Sequence, residues 1–301
     1  MKGGKMKINK YIFYAILAAV LYALSTPISK LLLNNLSPIF IASLLYLGAG
    51  IGMGVIALIR KKVRHTNCKA FTKKELPAIV GMIILDILAP ILLMIGLNTS
   101  QPENVALLNN FEIVATSLFA AFLFKEVIPK RLIFAIILVT LASILLSFED
   151  INAFKFSIGS IFVIFAALSW GLENNLTRRL SFNDPLMVVV IKGIFSGLGS
   201  LIIAISLSQV VFNISYILWA LLLGFIAYGL SIFFYVTAQR ELGAAKTSAF
   251  YAFAPFVGAL LSLMIFFELP QLNFYIAIVL MAIGSYYAST NGLKKQSQID
   301  S

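Results

Sequence analysis

Cysteine, histidine and charge are the scarce commodities of this chain. Cys68 and His65 are the single representatives of their types in 301 residues. One cysteine cannot form an intrachain disulfide. One Cys beside one His falls well short of the roughly four ligands of a structural zinc site, so Cys68 reads as a solvated loop thiol and no metal is expected. A lone loop histidine also leaves no Ser, His and acid set to assemble, and "GAAKTS" (243–248) lacks the spacing of a phosphate loop. Nothing points to an enzyme or a cofactor, although Asp86 and Glu112 leave open an acid and base pair of an intramembrane hydrolase. Charged residues make up only 12% of the chain, about half of what a soluble domain carries.

Apolar runs fill the space that charge leaves. Hydrophobic residues reach 60% and the mean hydropathy is +0.98. The composition is that of a polytopic membrane protein. Ten apolar segments can be marked, at 11–33, 38–59, 76–97, 104–124, 131–148, 157–179, 185–207, 215–239, 245–267 and 273–290. Each is near the ~20 residues that a helix needs to cross the bilayer. Barrel strands would alternate with period two, whereas these runs are continuously apolar, so an all-α membrane protein of ten helices is expected. The first segment follows a basic stretch, as a signal peptide does, but exceeds the usual apolar length of one and is read as a retained helix.

Basic residues set the expected orientation. The N-terminus carries Lys2, Lys5, Lys7 and Lys10, and the loop after segment two carries seven more between Arg60 and Lys74. The loops after segments four, six and eight and the C-terminus hold nearly all the rest, while Glu103, Glu149, Asp150 and Glu268 fall on the opposite side with Lys30 and Lys155. Both termini are therefore expected in the cytoplasm, with the chain in the cytoplasmic membrane. The net charge of +11 follows from the same bias. Basic residues scattered over short loops do not make a nucleic-acid surface.

An internal repeat is present. "VTAQRELGAAKTSAFYAFAPFVGALLSLMIFFELP" (236–270) aligns without gaps on "TSQPENVALLNNFEIVATSLFAAFLFKEVIP" (99–129) when Glu126 is set on Glu268, matching Phe111 to Phe253 and Phe124 to Phe266. "AAVLYALSTPISKLL" (18–32) likewise resembles "FAALSWGLENNLTRRL" (165–180), with Tyr22 on Trp170. The expected organisation is a five-helix unit over 1–148, a second over 157–290 and a cytoplasmic tail over 291–301. Five is odd, so the second unit enters from the opposite side and the repeats are inverted. That architecture is typical of alternating-access transporters, with a site near the midplane.

The paired stretches "LLNNFEIVATSLFAAFLFKEVIPKR" and "ELGAAKTSAFYAFAPFVGALLSLMIFFELP", together with "AALSWGLENNLTRRLSFNDP", resemble the EamA family of the drug/metabolite transporter superfamily, and the resemblance runs from Tyr11 to about Thr290. It implies ten helices, cytoplasmic termini, a central cavity lined by both halves, and movement of small metabolites, commonly outward. The implied cargo ranges over amino acids, nucleosides, amines and drugs. A channel or a non-transporting membrane protein is the alternative.

Four ionisable residues fall within the segments away from their ends: Asp86, Glu112, Glu173 and Lys192. Such groups cost roughly 2.5–3.5 kcal/mol at a helix centre on insertion scales, so they are kept where they face protein or water. Counted from the cytoplasmic ends, Glu173 and Lys192 share the inner third and are expected to pair, as a gate or as a structural clamp. Asp86 and Glu112 fall together near the middle. One of those two is expected to hold a proton unless a cation, water or Lys192 lies between them.

Polar and aromatic neighbours complete the candidate pathway. Asn109 and Glu112 share a helical face that Asn110 does not, since each residue turns the helix by about 100°. Trp170, Glu173, Asn174 and Thr177 line one face of segment six, and Tyr22, Tyr228 and Tyr251 are offered by repeat-related positions. Together they suit a small amphipathic or cationic solute, or serve only as glue between helices. Pro27, Pro90 and Pro255 are candidate hinges, because each removes a backbone hydrogen bond. Gly48, Gly50, Gly52 and Gly54, with Gly193 and Gly197, are patterns for close helix packing. The expected partners are a small-molecule substrate and membrane lipid, with a homodimer left open.

Overall fold

The computed structural model describes residues 2–64, 73–124, 128–150, 155–180, 184–242, 247 and 250–297. Cys68 and His65 lie outside the described residues, as does most of "GAAKTS". The chain is a helical membrane protein. Its helices are α1 (Lys2–Ala23), α2 (Ser25–Leu32), α3 (Pro38–Arg64), α4 (Leu76–Thr99), α5 (Pro102–Leu108), α6 (Phe111–Phe124) and α7 (Lys130–Leu146). After a short connection follow α8 (Ile158–Leu180), α9 (Pro185–Ser206), α10 (Ile214–Leu223), a π-helical stretch (Gly224–Leu230), α11 (Ser231–Leu242), α12 (Ala254–Phe266) and α13 (Leu272–Ser297).

Six stretches are long and apolar enough to cross a membrane: Lys10–Leu32, Pro38–Lys62, Leu76–Thr99, Pro102–Leu123, Pro185–Ser206 and Ile214–Ala238. Shorter apolar helices occupy Ala254–Phe266 and Leu272–Tyr287. Large apolar side chains such as Leu58, Phe122, Ile202, Ile214 and Leu272 point outward. In water this would be a fault, but against lipid it is the favoured surface.

Several segments are not the uninterrupted helices that their hydropathy suggests. Segment one breaks at Leu24, between α1 and α2. Pro27, three residues into α2, has no N–H to give the Ala23 carbonyl, so the ladder fails there for a covalent reason. Segment four breaks at Asn109 and Asn110, where Asn110 N–H reaches back to Leu107 and Glu112 N–H to Asn109 in tight three-residue steps. Segment nine restarts after a turn at Ala252 and Phe253, with Pro255 in the first turn of α12. Proline is accommodated there because those N–H groups lack helical acceptors anyway. Pro255 thus marks a helix start and not a mid-helix kink, while Pro90 lies inside continuous α4.

Two further departures are local. Phe148–Asp150 (β1) and Lys155–Phe156 (β2) pair antiparallel, with Phe148 opposite Phe156, so a two-stranded hairpin joins the halves of the otherwise helical chain. The last helix runs to Ser297, into the expected tail.

The most extensive helix contacts join the two halves of the sequence: α3 with α9, α4 with α8, α7 with α13, α1 with α11, and α5 with α12. Glycine makes the first possible. A methyl group on Gly50 would sit 2.5 Å from the Ile194 nitrogen, and one on Gly193 would collide with the Gly50 backbone. Here the small-residue stripe serves contact within one chain. Around it a continuous apolar core runs from Leu32 to Met281.

Candidate functional site

Lys192 on α9 is the centre of the buried charge. Its ammonium lies 3.2 Å from Asp86 Oδ2 on α4 and 3.1 Å from Glu173 Oε1 on α8. All three side chains are buried. Tyr46 on α3 donates its hydroxyl to Asp86 Oδ1 at 2.8 Å and receives the indole N–H of Trp170 at 3.3 Å. Thr177, one turn beyond Glu173, donates its hydroxyl to Glu173 Oε1. The carboxylates are thus held by charge and by hydrogen bonds together, which is what makes burial of ions tolerable.

Glu173 and Lys192 do pair, as expected. Lys192 reaches Asp86 as well, the alternative left open for that carboxylate, because its long stem spans from Glu173 to Asp86. Tyr46, which connects Asp86 to Trp170, escaped the sequence reading. A tyrosine in an apolar run is unremarkable until its neighbour across the bundle proves to be an aspartate.

Glu112 opens α6 just beyond the break. Asn174 Nδ2 donates to Glu112 Oε1 at 2.6 Å and stands 3.4 Å from the Thr116 hydroxyl. Asn175 fixes the same helix pair by donating to the carbonyl oxygens of Thr116 and Gly171. Gly171 packs directly on Ala115, so α6 and α8 approach closely enough for these short amides to bridge them. Glu112 and Asn174 are half-buried. Among the described residues, no cation lies within salt-bridge distance of Glu112, in contrast to Asp86 and Glu173.

Aromatic rings form a connected row beside this carboxylate. Tyr22 lies 5.9 Å from Tyr228 and 5.8 Å from Tyr251, centroid to centroid, and Tyr228 lies 5.4 Å from Tyr46. Ser25 donates to the Tyr228 hydroxyl at 3.1 Å. Tyr228 falls in the π-helical stretch, whose extra residue per turn shifts the phase of segment eight. The three tyrosines expected to share a site do come together.

A small cleft with room for about one water molecule lies where the broken segments meet. Tyr22, Ala23 and Thr26 come from the α1–α2 break, Ala106 and Asn109 from the end of α5, and Ala254, Pro255 and Gly258 from the start of α12. Asn109 is 6% exposed and its buried Oδ1 has no hydrogen-bond partner. Asn110 turns elsewhere, its amide meeting the Met281 sulfur on α13 at 3.8 Å.

The comparisons with known proteins bear on this arrangement. The model of the EamA-like transporter family matches twice, over residues 9–148 and 157–290. The chain belongs to the EamA-like transporter family. It is therefore a multi-pass membrane transporter. A curated relative from Methanothermobacter thermautotrophicus, described as an uncharacterized transporter, is 24% identical over 294 residues, covering 92% of this chain and 85% of that one. The uncharacterized transporter YyaM of Bacillus subtilis is 24% identical over 181 residues, covering 57% of this chain and 59% of its own. A crystal structure aligns with a TM-score of 0.67 at 17% identity, over 93% of this EamA chain and 98% of that one. It shares the fold.

Other polar clusters of the EamA chain lie towards helix ends. Lys30 on α2 donates to the carbonyl oxygens of Leu97, Asn98 and Ser100, capping the C-terminus of α4, where carbonyl groups lack helical donors. Arg60 near the end of α3 makes a two-point contact with Asp184, at 2.9 and 3.2 Å. Asp184 also caps α9 by accepting the Leu186 N–H. Glu103, expected in an outer loop, is instead fully buried in the first turn of α5, and neither carboxylate oxygen has a hydrogen-bond partner.

Proposed function

We propose that this transporter is an alternating-access carrier that moves a small metabolite, amino acid or amphipathic compound, outward across the cytoplasmic membrane. The observation that carries this is the cleft at which segments one, four and nine all break. Discontinuous helices leave backbone groups free for a solute at the depth where carriers bind their cargo. Two of those breaks are related by the sequence repeat, since Asn110 aligns with Ala252.

Ten membrane helices in two inverted five-helix repeats, with both termini in the cytoplasm, fit the double family match and the distribution of basic residues. The helix contacts support the same symmetry. Segments two with seven, four with nine, and five with ten are repeat partners that touch. Segments one with eight and three with six exchange into each other when the halves are swapped, as a two-fold relation requires. On this reading Asp86, Glu173 and Lys192 clamp helices from both halves. The pathway is lined by Tyr22, Asn109, Glu112 and Asn174, with Tyr228 and Tyr251 behind Tyr22. Trp170 and Asn110 support that wall from the protein side, and Pro27, Pro90 and Pro255 concentrate the motion.

Reconstitution into phospholipid vesicles tests the proposal. Vesicles preloaded with candidate amino acids, nucleosides or amines are given trace radiolabelled solute outside. A carrier gives saturable uptake with a transient overshoot driven by the internal pool. Uptake that never saturates and shows no overshoot for any permeating solute identifies a channel and defeats the carrier assignment.

A further inference from the structure

Several cations of the chain are committed to partners within it. Lys30 caps the end of α4, Arg60 meets Asp184, and Lys192 serves two carboxylates. Lys10 lies 5.4 Å from the centre of the Tyr14 ring. Four lysines at one hairpin differ. Lys61 and Lys62 lie near the end of α3, Lys73 and Lys74 just before α4, and all four are exposed. Among the described residues, no carboxylate lies within salt-bridge distance of any of them. From Arg60 to Glu75 the sequence holds seven basic residues and one acidic residue. An inside-positive bias needs only a modest excess in each loop, and the loop after segment six has just Arg178 and Arg179. The surplus at the α3–α4 hairpin calls for a cause of its own.

The helices that carry these lysines are apolar on their outward faces. On α3, Ile51, Val55 and Leu58 are exposed and follow one another at i, i+4 and i+7, and Lys62 extends the same row by four residues. Lys61 flanks it, three residues beyond Leu58. On α4, Leu76, Val80 and Ile84 are exposed at spacings of four, with Lys73 and Lys74 just ahead of them. Helices α3 and α4 touch each other. The membrane-spanning stretches are Pro38–Lys62 and Leu76–Thr99. The four ammonium groups therefore sit where both helices leave the hydrocarbon, about 6 Å of helix rise beyond Leu58 on α3.

An occupant has to match both parts. A soluble anion would satisfy the lysines and make no use of the apolar rows. A zwitterionic lipid would cover the rows but bring a cationic group of its own towards the lysines. A phospholipid of net negative charge sets its phosphate on the ammonium groups and its acyl chains on the rows.

We propose that the α3–α4 junction is a binding site for an anionic phospholipid, with its phosphate held by Lys61, Lys62, Lys73 and Lys74 and its acyl chains along the exposed faces of α3 and α4. The site lies apart from the cleft between the broken helices, so it stands whether or not the chain is a carrier. Lys130 and Arg131 provide the comparison. Both are exposed at the start of α7, on the same side of the membrane in the proposed topology, but they form a single pair on one helix.

The test is native mass spectrometry of the full chain in detergent, titrated with dioleoylphosphatidylglycerol or dioleoylphosphatidylcholine. Each lysine that engages a phosphate strengthens binding about fivefold, so the first phosphatidylglycerol should bind at least about tenfold more tightly than phosphatidylcholine. That preference should shrink as the ammonium acetate concentration is raised. Replacing all four lysines with Gln should bring phosphatidylglycerol to the phosphatidylcholine level, and replacing them with Arg should keep the preference. Should the fourfold Gln variant fold poorly, Lys61→Gln with Lys62→Gln, and Lys73→Gln with Lys74→Gln, should each lose part of it. Lys130→Gln with Arg131→Gln should leave it unchanged. Equal binding of the two lipids overturns the proposal. An equal loss in the Lys130 and Arg131 variant also overturns it, by showing diffuse attraction to the whole face. Displacement of the lipid by glycerol 1-phosphate at the same concentration would assign the lysines to a soluble anion instead.

Discussion

The Lys192 ammonium of α9 lies 3.2 Å from the Asp86 carboxylate of α4. With Glu173 on its other side, it ties together three helices that hydropathy alone would leave free to slide. Removing one member of such a group strands the others, and breaking a buried pair typically costs about 3–5 kcal/mol. Lys192→Met should therefore lower the melting temperature sharply. Asp86→Asn, Glu173→Gln, Lys192→Met combined should recover much of the loss. Thermal unfolding followed by tryptophan fluorescence reads both, and a Lys192→Met protein as stable as the parent would contradict the clamp.

Close approach of α3 and α9 gives a second expectation. Gly50→Ala should abolish or greatly reduce the folded yield, because its methyl group meets backbone and not a side chain that can rotate away. Gly54 has nothing within 4 Å of the same position. Gly54→Ala should leave folding intact and gain up to about 1 kcal/mol from helix propensity. Size-exclusion profiles of the two variants make the comparison, and equal yields would contradict the packing described.

Glu103 carries a different sign. A buried carboxylate with no hydrogen-bond donor weakens the fold when charged. Glu103→Gln keeps the shape and removes the charge, so it should raise stability by about 1 kcal/mol or more. A lower melting temperature would show that the charge is used, through Lys30, which lies within electrostatic reach.

Arg60 and Asp184 separate a surface ion pair from a helix cap. The pair is partly open to solvent, with the Arg60 side chain 34% exposed, and such contacts contribute about 0–1 kcal/mol. Asp184 also accepts the Leu186 N–H, which adds about 1 kcal/mol. Asp184→Ala should thus be more destabilising than Arg60→Ala. The opposite order in urea or heat unfolding would put the main contribution in the ion pair.

Much of this was legible before any coordinates, and the failures have physical causes. Hydropathy located the helices because a bilayer demands long apolar runs, and rarity singled out Asp86, Glu112, Glu173 and Lys192 because embedded charge is costly. Hydropathy could not see the breaks at Leu24, Asn109–Asn110 and Ala252–Phe253, since a broken helix is as apolar as a whole one. Pro27 and the paired asparagines were the available signals. Depth counting left the partner of Asp86 open because it tracks backbones, whereas Lys192 meets Asp86 and Glu173 through several methylenes of side chain. Tyr46 and Thr116 carried no signal of their own. Their roles appear only when α3 is laid beside α4 and α6 beside α8.

The central claim is that one site between the broken helices is reached alternately from both faces of the membrane. Cys68 is the single cysteine, so Cys68→Ser gives a clean background in which Thr26→Cys places one thiol in the cleft wall. Reaction with a membrane-impermeant thiol reagent, added to one face of sealed vesicles at a time, is the measurement. Alternating access predicts labelling from either face, with transported solute shifting the ratio between the two. Labelling confined to one face, whatever solute is supplied, would contradict the account.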